Sequence, residues 1–120
     1  MQPIPLKHRQ KITNDPYFRI SCLSGKKSYG LNRIVIHHAF EYAGRQISEM
    51  WNYCPLLESE HSPYSAFPSV HNNKKVNDQV KFIALARTNL NGLKQRFPKK
   101  DWNGEIKRIK FNLKCLNNPL

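Results

Sequence analysis

Two short apolar runs in the middle of the chain have the composition of β-strands. Residues 33–38 are mostly β-branched and apolar, which favours a buried strand that ends at His37 and His38. Residues 51–57 form a second candidate strand, although Pro55 favours an edge or a loop there. The residues between the two runs, 39–50, predict an irregular or partly helical connection. The pattern therefore predicts two strands on either side of this connection.

The clearest helix is predicted for Lys74–Leu90, where apolar residues recur at helical spacing. These positions are Val76, Val80 and Ile83, with Phe82 and Ala86 widening the apolar stripe. Asn72 or Asn73 is expected to cap the start of the helix, and Asn91 with Gly92 is expected to end it. Before this helix, residues 58–61 favour one helical turn, and residues 62–70, with two prolines, predict an ordered loop.

The two ends of the chain have weaker patterns. Residues 1–16, with three prolines and several basic groups, predict an extended arm. Residues 17–23 are a candidate strand, and the glycines at 25 and 30 favour a turn over residues 24–30. Residues 91–120 are basic and show apolar spacings of both two and three. Helix and strand therefore both stay open for that segment.

Length and charge favour a single domain that binds a polyanion. The chain has 120 residues, 20 lysines and arginines against 8 acids, and a net charge of +12. Residues 1–60 carry a net charge of +3 and residues 61–120 a net charge of +9. Lysine and arginine that neutralise phosphates release condensed counterions, so such an excess is typical of nucleic-acid binding. The simpler alternative is a basic surface that serves only solubility.

Cysteine usage and hydropathy bear on the cellular compartment. Cys22, Cys54 and Cys115 are too few and too scattered for a disulfide framework or a zinc knuckle, which favours a reducing compartment. No apolar run approaches the length of a membrane span, and the N-terminus has no apolar signal core. We therefore expect a soluble, cytoplasmic protein with no membrane partner.

Four of the five histidines lie within residues 37–71: His37, His38, His61 and His71. Imidazole binds transition metals when neutral and transfers protons near neutral pH. In a metal-assisted hydrolytic site, a divalent ion stabilises charge on the phosphate while a separate base deprotonates the attacking water. Because neighbours on a strand face opposite sides, His37 and His38 are not expected to share one role. The cluster predicts a hydrolytic site acting on nucleic acid.

The spacing of these residues resembles that of the HNH endonucleases, also called ββα-metal or His-Me finger nucleases. Asn52 follows His38 by 14 residues, and His61 follows Asn52 by 9 residues. The glycine turn after Cys22, and residues 42–46 followed by Trp51, further resemble small HNH proteins of phage origin. The resemblance implies an α+β fold with a ββα-metal core at 17–90, between an N-terminal extended arm (1–16) and a basic C-terminal extension (91–120).

The resemblance also implies a role for each residue of the set. His38 would be the general base, and Asn52 would order the loop and orient His38. His37 and His61 would bind a single divalent metal ion, which is Mg²⁺, Mn²⁺ or Zn²⁺.

The sequence departs from the family pattern at two points. Many members place a further metal ligand where this chain has Ser65, and His71 is expected to replace it as the third ligand. The alternative for His71 is a surface residue at a helix N-terminus. The zinc-binding cysteine pairs of many members are also absent from the sequence, so we expect the fold to depend on its core alone.

Basic residues near the histidines are candidates for contacts with DNA. Arg45 is expected to clamp a phosphate close to the scissile bond, and its alternative is an ion pair with Glu41 or Glu49. The helix lysines Lys74, Lys75 and Lys81 are expected to contact the DNA backbone.

The expected function is that of a metal-dependent endonuclease that hydrolyses phosphodiester bonds in DNA, including branched or nicked DNA. By the resemblance, the products would carry a 5′-phosphate and a 3′-hydroxyl. RNA is the less favoured partner, and monomer and homodimer both stay open. One alternative is a non-catalytic nucleic-acid-binding protein with a structural metal site. Another is a binding module whose basic tail contacts RNA and whose histidines are incidental.

Overall fold

The computed structural model describes residues 3–114 as an α+β fold. Five helices surround two small antiparallel pairs of strands within this range. The helices are α1 (Leu6–Asn14), α2 (Glu58–His61), α3 (Lys74–Leu85), α4 (Leu90–Arg96) and α5 (Trp102–Asn112). The strands are β1 (Ile34–His38), β2 (Glu41–Tyr42), β3 (Arg45–Gln46) and β4 (Tyr53–Leu57). Two short 3₁₀ helices lie at Pro16–Arg19 and Met50–Asn52. Cys115, the third cysteine of the sequence, lies outside the described residues.

Both predicted strands around the histidines are confirmed. β1 and β4 pair antiparallel, in a register that runs from Ile34 opposite Leu57 to His38 opposite Tyr53. Pro55 lies within β4, and its carbonyl accepts a hydrogen bond from the backbone N–H of Cys22 at 2.9 Å. The N–H and C=O of a strand residue face the same edge, so the missing N–H of Pro55 faces away from β1. The proline therefore removes no hydrogen bond from the β1–β4 pair.

The connection between these strands is a small hairpin, so the expectation of an irregular or partly helical segment is wrong. Glu41 pairs with Gln46, and Tyr42 pairs with Arg45. The two-residue turn has positive φ at both positions, +52° at Ala43 and +79° at Gly44. Such turns usually carry Asn or Asp before the glycine, which tolerate positive φ better than alanine. Ala43 therefore concealed the hairpin from sequence analysis.

The predicted central helix is confirmed at its start and is wrong at its end. The Asn73 side chain caps α3 by accepting a hydrogen bond from the Val76 N–H at 3.1 Å. The helix ends at Leu85 rather than at Leu90. The Asn89 side chain caps a new helix, α4, by accepting from the Gly92 N–H at 2.7 Å. Gly92 was expected to end the central helix, but it lies inside α4, because the Asn89 cap starts a new helix before it.

The N-terminal segment also differs from expectation. Leu6–Asn14 forms α1 where an extended arm was expected. Its prolines flank the helix instead of interrupting it, and the Pro5 carbonyl accepts the first helical hydrogen bond from the Arg9 N–H at 3.0 Å. The strand expected for residues 17–23 is wrong as well, since the Asp15 side chain caps the 3₁₀ helix Pro16–Arg19.

The hydrophobic core joins the strands to the C-terminal helices. Val80 and Ala84 of α3 belong to the same buried cluster as Leu56 of β4. Trp102 is buried, with its ring 5.4 Å from that of Phe40, and its Nε1–H donates to the Phe97 carbonyl at 3.0 Å. The basic extension therefore supplies core residues to the part of the fold that carries the histidines. The sequence left helix and strand open for this extension, and residues Trp102–Asn112 form a helix.

A buried ion pair fixes α5 against α3. Asp78 is 1% exposed and accepts two hydrogen bonds from Arg108, at 3.0 and 2.9 Å, and another from the Asn112 side chain. Arg108 also pairs with Glu105 at 3.0 Å. The Arg108 guanidinium is therefore engaged by two carboxylates of its own chain and acts in folding.

Replacing Arg108 with methionine is expected to lower the free energy of unfolding by about 2 kcal/mol, because it leaves the Asp78 carboxylate buried without its cation. Fully buried pairs lose roughly 3–5 kcal/mol, and the loss here is smaller because the Arg108 side chain is 38% exposed. Urea denaturation near pH 7 measures the loss. Lys107→Met, at an exposed neighbouring position of α5, is the matched control. Equal stability of the two variants would contradict this prediction.

The same ion pair has a predictable pH dependence. Burial alone would raise the pKa of Asp78, but the hydrogen bonds from Arg108 and Asn112 outweigh burial and hold this pKa below its usual value. A depressed carboxyl pKa stabilises the fold above the ordinary Asp pKa of about 3.9, and the contribution is lost as the pH falls below that value. The stability difference between wild type and Arg108→Met should therefore be largest near pH 7 and shrink below about pH 4.

No helix between residues 3 and 114 is long and apolar enough to cross a lipid bilayer.

Candidate metal centre

Three of the predicted histidines meet at one point of the fold. His37 lies near the end of β1, His61 ends α2 directly after β4, and His71 lies three residues before α3. The Val70 N–H donates to the Glu60 carbonyl at 2.8 Å, which brings the two ends of the intervening loop together. The imidazole centroids are 5.2 Å apart for His37 and His61, 5.4 Å for His37 and His71, and 4.6 Å for His61 and His71.

The geometry of these three side chains fits a bound metal ion. One nitrogen from each ring lies within 4.8 Å of the others. The Nε2 atoms of His61 and His71 are 3.2 Å apart. Two nitrogens on a tetrahedral zinc ion, with bonds of about 2.0–2.1 Å, lie about 3.3–3.4 Å from each other. Nε2 of His37 is buried and makes no hydrogen bond within the protein, which leaves it available as a ligand.

Burial keeps the cluster in the form that binds metals. Desolvation, followed by the nearby His61, His71, His38 and Lys81, lowers the pKa of His37 to about 3. Desolvation and the neighbouring His71 also lower the pKa of His61. Neutral imidazole is the metal-binding form of histidine. His37 and His61 are therefore neutral at physiological pH, because burial and the neighbouring histidines both disfavour the charged imidazolium.

His38 lies beside the cluster but has different neighbours. It pairs with Tyr53 across the sheet, and the two rings are in edge contact with centroids 5.1 Å apart. Its Nε2 is buried and makes no hydrogen bond within the protein. Burial lowers the pKa of His38 below its ordinary value. His38 is therefore a neutral imidazole with a buried, unpartnered Nε2, and the residue lines the same cavity as the three-histidine cluster.

Asn52 fixes the backbone that follows the two histidines. Its Oδ1 accepts from the Phe40 N–H at 2.8 Å, and its Nδ2 donates to the carbonyls of Phe40 and Ile47 at 3.1 and 2.9 Å. The side chain is fully buried. Asn52 thus ties the end of β1 to the β2–β3 hairpin. Its described contacts order the loop, and its predicted role in orienting His38 stays a prediction.

The histidines line a cavity of about 440 Å³ that also contains two lysines. Nζ of Lys81 lies 5.4 Å from the centre of the Phe40 ring, and Nζ of Lys100 lies 5.8 Å from it. Lys81 also forms an ion pair with Glu105 at 3.6 Å. The other residues that line the cavity are Ile36, Ala39, Phe40, Glu41, Gln46 and Asn77. The cavity therefore combines four histidines with two lysines and the carboxylate of Glu41.

Four residues were predicted to contact DNA. Lys81 lines the cavity, whereas Arg45, Lys74 and Lys75 are exposed and lie outside the cavity lining. The alternative pairing of Arg45 with Glu49 is not observed in residues 3–114, where Glu49 binds Arg96 through two nitrogens at 2.8 Å. The phosphate contact of Arg45 stays a prediction.

Sequence analysis did not single out several residues around the site. Lys100 was one basic residue among many, because nothing in its local sequence shows that α5 packs against Phe40. Nδ1 of His8 lies 2.6 Å from the Tyr53 hydroxyl, a contact between segments 45 residues apart in the chain. The Glu60 carboxylate accepts hydrogen bonds from the Ser21 hydroxyl at 2.6 Å and from the Leu57 N–H at 2.8 Å.

Comparisons with protein-family models, curated proteins and solved structures each found no match.

Proposed function

We propose that this protein is a metal-dependent endonuclease that hydrolyses phosphodiester bonds in DNA. The observation that carries the proposal is the convergence of His37, His61 and His71 next to His38, a buried neutral imidazole with a free nitrogen. A set of ligands beside a separate base is the arrangement that metal-assisted hydrolysis requires.

The residues of the cavity have distinct proposed roles. His38, which lines the cavity, accepts the proton of the attacking water. Asn52 holds the end of β1 so that His37 and His38 keep their positions. Lys81 and Lys100 neutralise the phosphate that enters the cavity. A divalent ion on His37, His61 and His71 would stabilise the negative charge that develops on the phosphate and leaving oxygens.

The order of the elements supports an HNH-like, ββα-metal core as part of this proposal. β1 and β4 form an antiparallel pair, and α3 follows and packs against β4. The three proposed ligands lie near the end of the first strand, just after the second strand, and just before the helix. An open cavity next to three ligands also favours catalysis over a structural site, since structural zinc sites are usually closed by four protein ligands.

The donor set bears on which metal binds. Imidazole nitrogens suit Zn²⁺ and other transition ions, whereas Mg²⁺ prefers carboxylate and water oxygens. All three proposed ligands are imidazoles. We therefore place Zn²⁺ ahead of Mn²⁺ and Mg²⁺ as the resident ion.

Nicking of supercoiled plasmid, in which negative supercoiling opens short unpaired stretches, tests the proposal. Metal-free protein should be inactive, and addition of Zn²⁺, Mn²⁺ or Mg²⁺ in separate reactions should produce nicked circles that EDTA prevents. Analysis of the ends should find a 5′-phosphate and a 3′-hydroxyl. Plasmid binding without nicking at every metal concentration would contradict catalysis and favour the non-catalytic alternative.

Removing the two cavity lysines is expected to weaken binding of DNA without removing metal binding. Lys81→Ala combined with Lys100→Ala should raise the KM for plasmid cleavage about 30-fold, because each of the two phosphate contacts contributes roughly 1 kcal/mol at low salt. The salt dependence of log K should also become shallower by about 0.9 for each lost contact. The exposed pair Lys26→Ala with Lys27→Ala, in the turn before β1, is the matched control. An equal effect of both double variants would show that DNA binding depends on net charge and not on the position of the lysines in the cavity.

A further inference from the structure

The loop between two of the proposed ligands carries exposed aromatic side chains. This loop, called the aromatic loop here, comprises residues 62–70 and connects His61 to His71. Tyr64 is 94% exposed and Phe67 is 68% exposed. Folding leaves both rings in water although the hydrophobic effect favours burying them.

Hydrogen bonds hold the aromatic loop in one conformation. The Tyr64 N–H donates to the Ser62 hydroxyl at 3.1 Å, and the Phe67 N–H donates to the Ser65 hydroxyl at 3.1 Å. The Asn72 side chain donates to the Phe67 carbonyl at 3.1 Å and accepts from the Ser69 N–H at 2.8 Å. The loop is therefore ordered by its own polar groups, and its two aromatic rings project without being needed for packing.

The aromatic loop is anchored at the metal centre at both ends. The Nε2 atoms of His61 and His71 are 3.2 Å apart. Tyr64 lies three residues after His61 and Phe67 lies four residues before His71. At no more than about 3.6 Å per residue, the backbone of Tyr64 lies within about 11 Å of that of His61. This distance corresponds to a few nucleotides along a strand held at the cavity.

We propose that Tyr64 and Phe67 stack on unpaired bases that flank the scissile phosphate, so that the substrate is single-stranded DNA or DNA with unpaired nucleotides. The inference rests on the proposed nuclease function and specifies its substrate class. Aromatic side chains bind single strands by stacking on base faces, which a continuous duplex keeps covered by neighbouring base pairs. The lysines of the cavity and the net charge of +12 match a strand of phosphates, and the aromatic loop contains no acidic residue that would repel it.

Binding measured without metal tests this proposal separately from catalysis. Fluorescence anisotropy in EDTA would compare a labelled short oligothymidine with a duplex of the same length. Tyr64→Leu combined with Phe67→Leu should weaken single-strand binding about 10-fold or more and change duplex binding little. Tyr64→Phe should bind as wild type does, because it keeps the ring. Tyr29→Leu combined with Phe111→Leu, at exposed aromatics on other segments, is the matched control.

Three outcomes would overturn the inference: unchanged single-strand binding by the aromatic-loop variant, an equal loss of duplex binding, or a changed oligomeric state. The third outcome would assign the loop to contact between two copies of the chain. Because cleavage is not involved, failure of the plasmid assay leaves this result interpretable. Conversely, a plasmid-nicking protein whose aromatic-loop variant binds single strands normally would keep the proposed function and lose only the stacking role.

Discussion

Replacing His38 with alanine is expected to slow DNA cleavage by about 10²–10⁴-fold, the contribution of a positioned general base. His38 lies outside the three-histidine cluster, so the variant should still bind metal with wild-type affinity. Because the His38 side chain is buried against Tyr53, circular dichroism and thermal unfolding of the variant check that the fold is retained. Single-turnover cleavage measures the loss.

Chemical rescue distinguishes a base from a structural residue at this position. Free imidazole can occupy the space left by the His38 ring and accept the proton in its place. Cleavage by His38→Ala should therefore rise with imidazole concentration, while His38→Gln, which fills the space with a non-basic side chain, should not respond. An inactive His38→Ala variant that is also unable to bind metal would contradict the division of roles.

Replacing His61 with alanine is expected to remove tight metal binding and, with it, cleavage. His61 is close to both other members of the cluster, with its Nε2 3.2 Å from that of His71. Loss of one of three imidazoles leaves two ligands, and a change of this kind should weaken affinity by at least the roughly 10–100-fold seen when outer partners of a ligand are removed. Calorimetric titration of metal-free protein measures the affinity.

A histidine outside the cluster provides the control for this variant. His8 contacts the Tyr53 hydroxyl and is not part of the cluster, so His8→Ala should bind metal as wild type does. Parallel titration of His71→Ala tests whether the exposed member contributes equally. Wild-type metal affinity in both His61→Ala and His71→Ala would show that the cluster is not a metal site.

The residues of the site could be predicted from sequence where the signal is local. The β-branched run before His37 and His38 dictates a strand, and the spacing to Asn52 and His61 matched a known family pattern. His71 was the least certain member of the set, because two prolines in residues 62–70 conceal the path of the loop. The structure brings His71 to the cluster through the hydrogen bond from Val70 to Glu60. The metal-binding role of the three-histidine cluster and the catalytic role of His38 are proposals.

The parts of the fold that sequence did not predict depend on contacts between distant segments or on unusual local choices. Trp102 and Lys100 join the site only because α5 packs across Phe40, and a short amphipathic segment does not encode its partner. The hairpin at Ala43 and Gly44 lacks the usual asparagine. The prolines of the first 16 residues predicted an extended arm, whereas they flank α1.

Titration of metal into a cleavage reaction tests the central proposal most directly. Metal-free protein at fixed concentration would receive increasing Zn²⁺, with Mn²⁺ and Mg²⁺ in parallel, while the initial rate of plasmid nicking is recorded. The proposal predicts that the rate with the preferred ion rises linearly and reaches a plateau at one ion per chain, and that His61→Ala shows no such rise. A rate that is zero throughout, or that is the same in His61→Ala as in wild type, would contradict it.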